Sequence, residues 1–369
     1  MKLALLTSSR ADYGFYRPLI RRLNECEDFS YVLIAFGTHL SKLHGSTISS
    51  IYEDGVTNVE LVNWVPDGDG PAEIAEGIGL CHVAFSKFWT KTDADLIVCI
   101  GDRYEMFAAV SASIPFNIPV AHISGGEETL GAIDNIYRHS LTHMSKYHFV
   151  NTEKNKNRVI DLIGSSENVF RSGSLAVDNI HETVLLTTSE FYALFAFDIA
   201  SPFILFTFHP ETVKHENNKL YAEVIETILL GLDNNILVTM PNADTGSSII
   251  RETLIKVGHN VKRISLVESL GSRGYYTALK NCEFVLGNSS SGIIEAASFG
   301  KYVINLGSRQ QGREKGKNII DCKIDELSIL STIHKVERMS QLNCENIYGD
   351  GNARNVIVDT LSKIAHNEL

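Results

Sequence analysis

The stretch Glu283-Phe284-Val285-Leu286-Gly287-Asn288-Ser289-Ser290-Ser291-Gly292-Ile293-Ile294-Glu295 changes character twice along its length. Glu283 to Leu286 reads as a short buried strand, the small polar residues after it as a turn, and Ile293 to Phe299 as an amphipathic helix. Strand, polar turn and helix start form the repeating unit of an open parallel α/β sheet. Three hydroxyls and a glycine at a helix N-terminus present backbone N–H groups and a partial positive charge to an anionic oxygen, most often a phosphate. Glu295, one turn into the helix, is placed to accept hydrogen bonds from a sugar diol. Capping by Ser and Gly alone is the other reading of the same turn. Neither adenine-nucleotide fingerprint fits, and Gly312 to Asn318 has the wrong spacing and no hydroxyl for a P-loop.

Working outward, strand-like apolar runs alternate with helical segments along most of the chain. Leu3 to Thr7, Leu33 to Phe36, Asp95 to Ile100 and Ile118 to Ile123 read as strands, with helices near Leu19 to Leu23, Tyr104 to Ser113 and Asp134 to Tyr147. A short strand at His148 to Val150 is expected to close this half, followed by a polar, less regular region from Ser165 to Glu190. The pattern then resumes with strands at Phe203 to Phe208, Ile236 to Met240, Ile264 to Val267, Phe284 to Leu286 and Tyr302 to Leu306. The expected architecture is α/β, with two Rossmann-like domains facing across a cleft. Residues 1–175 form the first domain, with a C-terminal helix in 355–369 packing back on it, and 176–354 the second.

The chain has 369 residues, 44% of them hydrophobic and 21% charged, an ordinary globular balance with room for two cores. The net charge of −11 offers no basic footprint for nucleic acid or an anionic membrane surface. A negative chain that binds a negative ligand must concentrate its positive charge locally, which draws attention to arginines in glycine-rich loops. No run of about 20 apolar residues and no N-terminal signal is present, so a cytoplasmic location is expected. The 6 cysteines show no C-x-x-C spacing and read as reduced thiols that bind no metal.

Ligands of open parallel sheets bind outside the carboxyl ends of the strands. Arg10 lies in such a loop, where it either clamps a phosphate or carboxylate or pairs with Asp12 on the surface. Asp102 and Arg103 follow another strand, and Glu127 ends the loop after the next. Neighbouring parallel strands lie about 4.8 Å apart, so Asp102 and Glu127 can reach one edge. Carboxylates close together suit proton transfer, because repulsion and burial push their pKa values apart. Asp134 adds a third acid, or alternatively caps a helix dipole and pairs with Arg138 at i,i+4. His139 and His143 have the spacing of a helical metal pair but no third ligand, so neither metal nor cofactor is expected. His209, just past a strand end, can hydrogen-bond a phosphate; Asn242, Arg309 and Arg313 lie in further loops of this kind.

Taken together, Ser8 to Gly14, Gly101-Asp102-Arg103, His122-Ile123-Ser124-Gly125-Gly126-Glu127, Asp134 with Arg138-His139, Phe208-His209-Pro210, Asn242 to Gly246 and the opening stretch resemble the hydrolysing UDP-N-acetylglucosamine 2-epimerases. The resemblance runs in order from about residue 5 to 320. It implies a glycosyltransferase-B-like fold, a UDP-sugar substrate, a homodimer or homotetramer, and N-acetylmannosamine made for sialic acid synthesis. By that resemblance Ser289, Ser290, Gly292 and Glu295 hold the diphosphate and ribose of UDP, supported by Arg10, Arg103, His209, Asn242, Arg309 and Arg313. Asp102, Glu127 and Asp134 face the sugar. Many relatives carry Glu where this chain has Ser124, so the general base cannot simply be carried over. The same reaction on a UDP-2,4-diacetamido-2,4,6-trideoxy sugar, and a non-hydrolysing epimerase, are the alternatives.

Overall fold

Alternate residues of each central strand point into different cores, and this period of two sets the layering. The computed structural model describes the chain except for residues 42–46, 69, 132, 212–214, 242–246 and 369. It divides into two compact units, residues 1–127, 134–181 and 348–369 in the first and 128–133 with 182–347 in the second.

The first unit is built on β1 (Lys2–Thr7), β2 (Ser30–Ala35), β3 (Val59–Leu61), β4 (Leu96–Ile100), β5 (Val120–Ile123), β6 (Tyr147–Val150) and β7 (Val169–Arg171). They form one sheet in the order β3-β2-β1-β4-β5-β6-β7, and every pairing is parallel. Leu3, Leu5, Leu33 and Val98 pack on one face against Tyr16, Leu19 and Leu23 of the helix Arg10–Asn24 and Ile357 and Leu361 of the helix Ala353–Ala365. Ala4, Leu6, Ile34 and Cys99 pack on the other against Cys81, Phe85 and Trp89 of the helix Pro71–Trp89. Two covered faces explain why these strands are apolar at nearly every position.

The helix Arg10–Asn24 contains Pro18. Proline has no N–H to give the carbonyl four residues earlier, and the side chain of Asn179 donates to that carbonyl, on Gly14. Next to Asn179, the buried Asp178 accepts from the N–H groups of Ala353 (2.9 Å) and Arg354 (2.6 Å). It thereby caps the C-terminal helix from a distant part of the chain.

The second unit contains β8 (Phe203–Thr207), β9 (Asn235–Thr239), β10 (Ile264–Val267), β11 (Val285–Gly287), β12 (Val303–Leu306) and β13 (Ile319–Cys322). They form a second parallel sheet, in the order β10-β9-β8-β11-β12-β13. Renumbered from its own first strand this is 3-2-1-4-5-6, the order that also runs through the first unit. Each unit therefore has a switch point, between β1 and β4 and between β8 and β11, where ligand loops diverge.

Several elements differ from the sequence reading. The region from Ser165 to Glu190 holds β7 and the helices Leu175–Glu182 and Thr188–Phe195. The segment from Ile293 to Phe299 is not one helix, since Ser290–Ile294 is α-helical and Ala296–Phe299 forms a 3-10 turn. The division between units falls after His181 and again before Tyr348, and the short segment 128–133 belongs with the second unit. No helix among the described residues is long and apolar enough to cross a membrane.

Candidate active site

In the first unit the loops after β1, β4, β5 and β6 carry the polar groups. Asp12 does not extend towards Arg10 as a surface pair. Its Oδ2 accepts from the Ser8 N–H (2.9 Å) and the Ser8 hydroxyl (2.7 Å), closing the loop after β1 on itself. Arg10, the first residue of its helix, is exposed.

Asp102 follows β4 and is bound by the guanidinium of Arg138, whose side chain is only 2% exposed. The same guanidinium donates through Nη1 to the main-chain carbonyl of Glu127 (2.9 Å). One buried arginine thus spans the loops after β4 and β5 and fixes the spacing of two of the three acids. Its place on the helix Asp134–Met144 connects it to the third, since Asp134 opens that helix. The guanidinium of Arg103 is engaged by the buried carboxylate of Glu105, at 2.7 and 3.2 Å. Glu105 chiefly, and Asp12 and Asp134 with it, hold that guanidinium further above its ordinary pKa.

Beneath this edge, His122 Nε2 lies 2.9 Å from the carbonyl of Gly101, the residue before Asp102, and Nδ1 faces Thr142 Oγ1. Burial holds the imidazole down at about 4, so it is neutral at physiological pH. Among the described residues no group of three or more His, Cys, Asp and Glu side chains is placed to hold a metal ion.

The loop after β5 turns sharply. Ser124 has φ +66° and Gly126 φ +75°, both in the left-handed region that a serine enters only at a cost. At its end, Glu127 is 5% exposed and its Oε1 accepts from Asn151 Nδ2 at 2.6 Å. Sequence reading passed over Asn151, which stands just after β6 outside every recognised motif.

In the second unit, β11 ends at Gly287, at φ +144°, where an added Cβ would lie 1.8 Å from the carbonyl oxygen of Thr207 on β8. Only glycine allows the two strands this approach. Asn288 then binds His209 twice, accepting from its N–H (2.7 Å) and donating to its carbonyl (2.8 Å). The fully buried Asn288 therefore joins the loops on either side of the switch point. The carbonyl of Asn288 accepts from Gln310 Nε2 (2.9 Å) and faces Arg309 Nη1 (3.4 Å).

Ser289 caps the short helix Ser290–Ile294, accepting from the Ser291 N–H, and Ser291 Oγ in turn meets the hydroxyl of Tyr275. Gly292 points to the sheet, since a Cβ there would stand 3.1 Å from Val303. Glu295 is 8% exposed and accepts from Tyr276 at 3.2 Å. Burial raises its pKa to about 8. Residues 128–131 lie against the loop of Arg309, Gln311 and Gly312. Leu130 N–H donates to the Gln311 carbonyl (2.9 Å), and a Cβ on Gly131 would lie 2.7 Å from Arg309 Cα. Arg313 follows in that loop with its Nε buried. Asn242 lies outside the described residues.

Two parallel α/β sheets of one strand order give the chain a glycosyltransferase-B-like fold. The UDP-N-acetylglucosamine 2-epimerase family model matches residues 21–362, and the chain belongs to that family of enzymes. It is 34% identical over 356 residues to the hydrolysing UDP-N,N'-diacetylbacillosamine 2-epimerase of Legionella pneumophila, covering 95% of this chain and 92% of the relative. It is 32% identical to the polysialic acid biosynthesis protein P7 of Escherichia coli, covering 90% and 85%. The UDP-GlcNAc 2-epimerase of Neisseria meningitidis bound to UDP-GlcNAc superposes with a TM-score of 0.82 at 21% identity, covering 98% of this chain and 100% of that one, which establishes the shared fold.

Proposed function

We propose that this enzyme is a hydrolysing 2-epimerase that converts UDP-N-acetylglucosamine and water to N-acetylmannosamine and UDP, as a step towards nonulosonic acids. The observation that carries this reading is the Arg138 bridge, which holds the Asp102 carboxylate and the Glu127 main chain at one sheet edge. In the second unit, Ser289, Ser290 and the helix N-terminus receive the diphosphate, with His209, Arg309 and Arg313 supplying further donors and positive charge; Arg10, of the first unit, is assigned to the same ligand. Glu295 takes the ribose diol, and Asn242 belongs to the same set. Arg103, already engaged by Glu105, contributes positive charge and not a direct clamp.

The chemistry falls to Asp102, Glu127 and Asp134. One carboxylate removes the C2 proton while the C1–O bond breaks, its electron pair leaving with UDP, which yields a glycal with a C1–C2 double bond. Water then adds its oxygen at C1, and C2 takes a proton from the opposite face, giving the free manno sugar. In deuterated water, N-acetylmannosamine carrying one deuterium at C2 and free UDP are expected. Product without C2 label would overturn the mechanism, and intact UDP-N-acetylmannosamine would make the enzyme non-hydrolysing.

The name of the Legionella relative favours a second substrate, the UDP-linked 2,4-diacetamido-2,4,6-trideoxy sugar. Groups around UDP are blind to C4 and C6. Side-by-side kcat/KM values for the two nucleotide sugars decide between them.

A further inference from the structure

Four bonds and contacts fix the main chain that carries Glu127. The Ser124 N–H donates to the Phe149 carbonyl (2.8 Å), and Arg158 Nη1 donates to the Gly126 carbonyl (2.8 Å). A Cβ on Gly126 would stand 2.4 Å from the carbonyl oxygen of Asn155, so the turn rests directly on the helix Glu153–Ile163. Arg138 takes the carbonyl of Glu127 itself. None of these reaches the carboxylate, which still has its own torsions.

Asn151 does reach it. The residue is 1% exposed, its Nδ2 donates to Glu127 Oε1 at 2.6 Å, and the Ser124 hydroxyl donates to its Oδ1 at 3.4 Å. An ionised carboxylate only accepts, so the Asn151 N–H and not its oxygen faces the acid, and the Ser124 hydroxyl is free to donate to the oxygen. Because β6 is hydrogen-bonded beside β5, the end of one strand delivers the donor to the loop that ends the other.

Resting on the reading that Glu127 acts at the sugar, we propose that Asn151 is a positioning residue for the 2-epimerisation, holding the Glu127 carboxylate in one rotamer. An amide suits this task. It donates a hydrogen bond without neutralising the acid, as an arginine would, and without competing for its proton, as a second carboxylate would.

The test is a double-mutant cycle read by kcat, KM and pH profile. Asn151→Asp keeps the shape but sets a second carboxylate against Glu127, so that the two share a proton. Its kcat at pH 7 is expected to fall by about 10²-fold with KM changed by less than about threefold, and the activity limb to move to higher pH. On a Glu127→Gln background the same change is expected to cost almost nothing further. A wild-type kcat and pH profile in Asn151→Asp, or a full additive loss in the double variant, overturns the positioning role while Glu127 keeps its place. Undiminished C2 labelling in Glu127→Gln alone removes the reading of Glu127, and this inference with it. Asn151→Ser, smaller and uncharged, replaces Asn151→Asp if the latter fails to fold; an unchanged kcat in Asn151→Ser likewise overturns the role.

Discussion

The two units share a strand order and place polar loops at the same switch point, yet they hold their acids in opposite ways. At the first, Asp102 is bound by Arg138, Glu105 by Arg103 and Glu127 by an amide, so each carboxylate is held by an N–H donor. At the second, Glu295 has a tyrosine hydroxyl as its hydrogen-bond donor, no basic side chain among the described residues pairs with it, and burial lifts its pKa to about 8. The loops near it carry hydroxyls, amides and backbone N–H groups, with the Arg309 guanidinium on the Asn288 carbonyl. The difference teaches that topology fixes where a loop stands, while the groups packed around it decide how its acid is held.

The comparison is sharpest for Asp102→Asn. If the first unit alone carries the chemistry, turnover is expected to fall about 10³-fold while the UDP dissociation constant, measured by calorimetry, changes by less than about threefold. Retained turnover would remove Asp102 from the catalytic set. The reverse experiment is Gly287→Ala in the second unit, where a Cβ would collide with the Thr207 carbonyl. A loss of about 3 kcal/mol of stability in chemical denaturation, with weakened UDP binding, is expected. An unperturbed melt would mean that β8 and β11 do not need this close approach.

The last test concerns pH. Glu295 is held at about 8 in the fold against 4.5 for an ordinary glutamate. Its neutral form is favoured in the folded state, so its contribution to stability is complete below pH 4.5 and is lost as pH rises towards 8. The UDP-free enzyme is therefore expected to melt at progressively lower temperature between pH 5 and 8, and Glu295→Gln to flatten that slope. Parallel melting curves for the two proteins would show that Glu295 is ionised in the fold.

Much of the fold was legible because parallel strands covered on both faces read as apolar runs, as in Leu3 to Thr7 and Phe203 to Phe208. β7 was missed because its three residues, Val169 to Arg171, are too few to show a period. Asp102 and Glu127 were singled out through their place after strands. Asn151 left no such sign, since an asparagine after a strand is an ordinary turn residue until its partner, 24 positions earlier, is known. Arg138 was read with Asp134, its neighbour by helical spacing; the structure adds the carboxylate of Asp102, 36 positions away.

The amino-acid sequence by itself determined the α/β class, the two-part organisation, the polar strand-to-helix turn at Ser289 and the family motifs, because these depend on local periodicity, capping and spacing. Only the tertiary structure decided which groups hold the acids, how Asn288 joins two loops, and that Glu295 is buried against a tyrosine hydroxyl. Hydrogen bonds across strands and the loss of solvent depend on chain segments distant in sequence, and no local pattern records them.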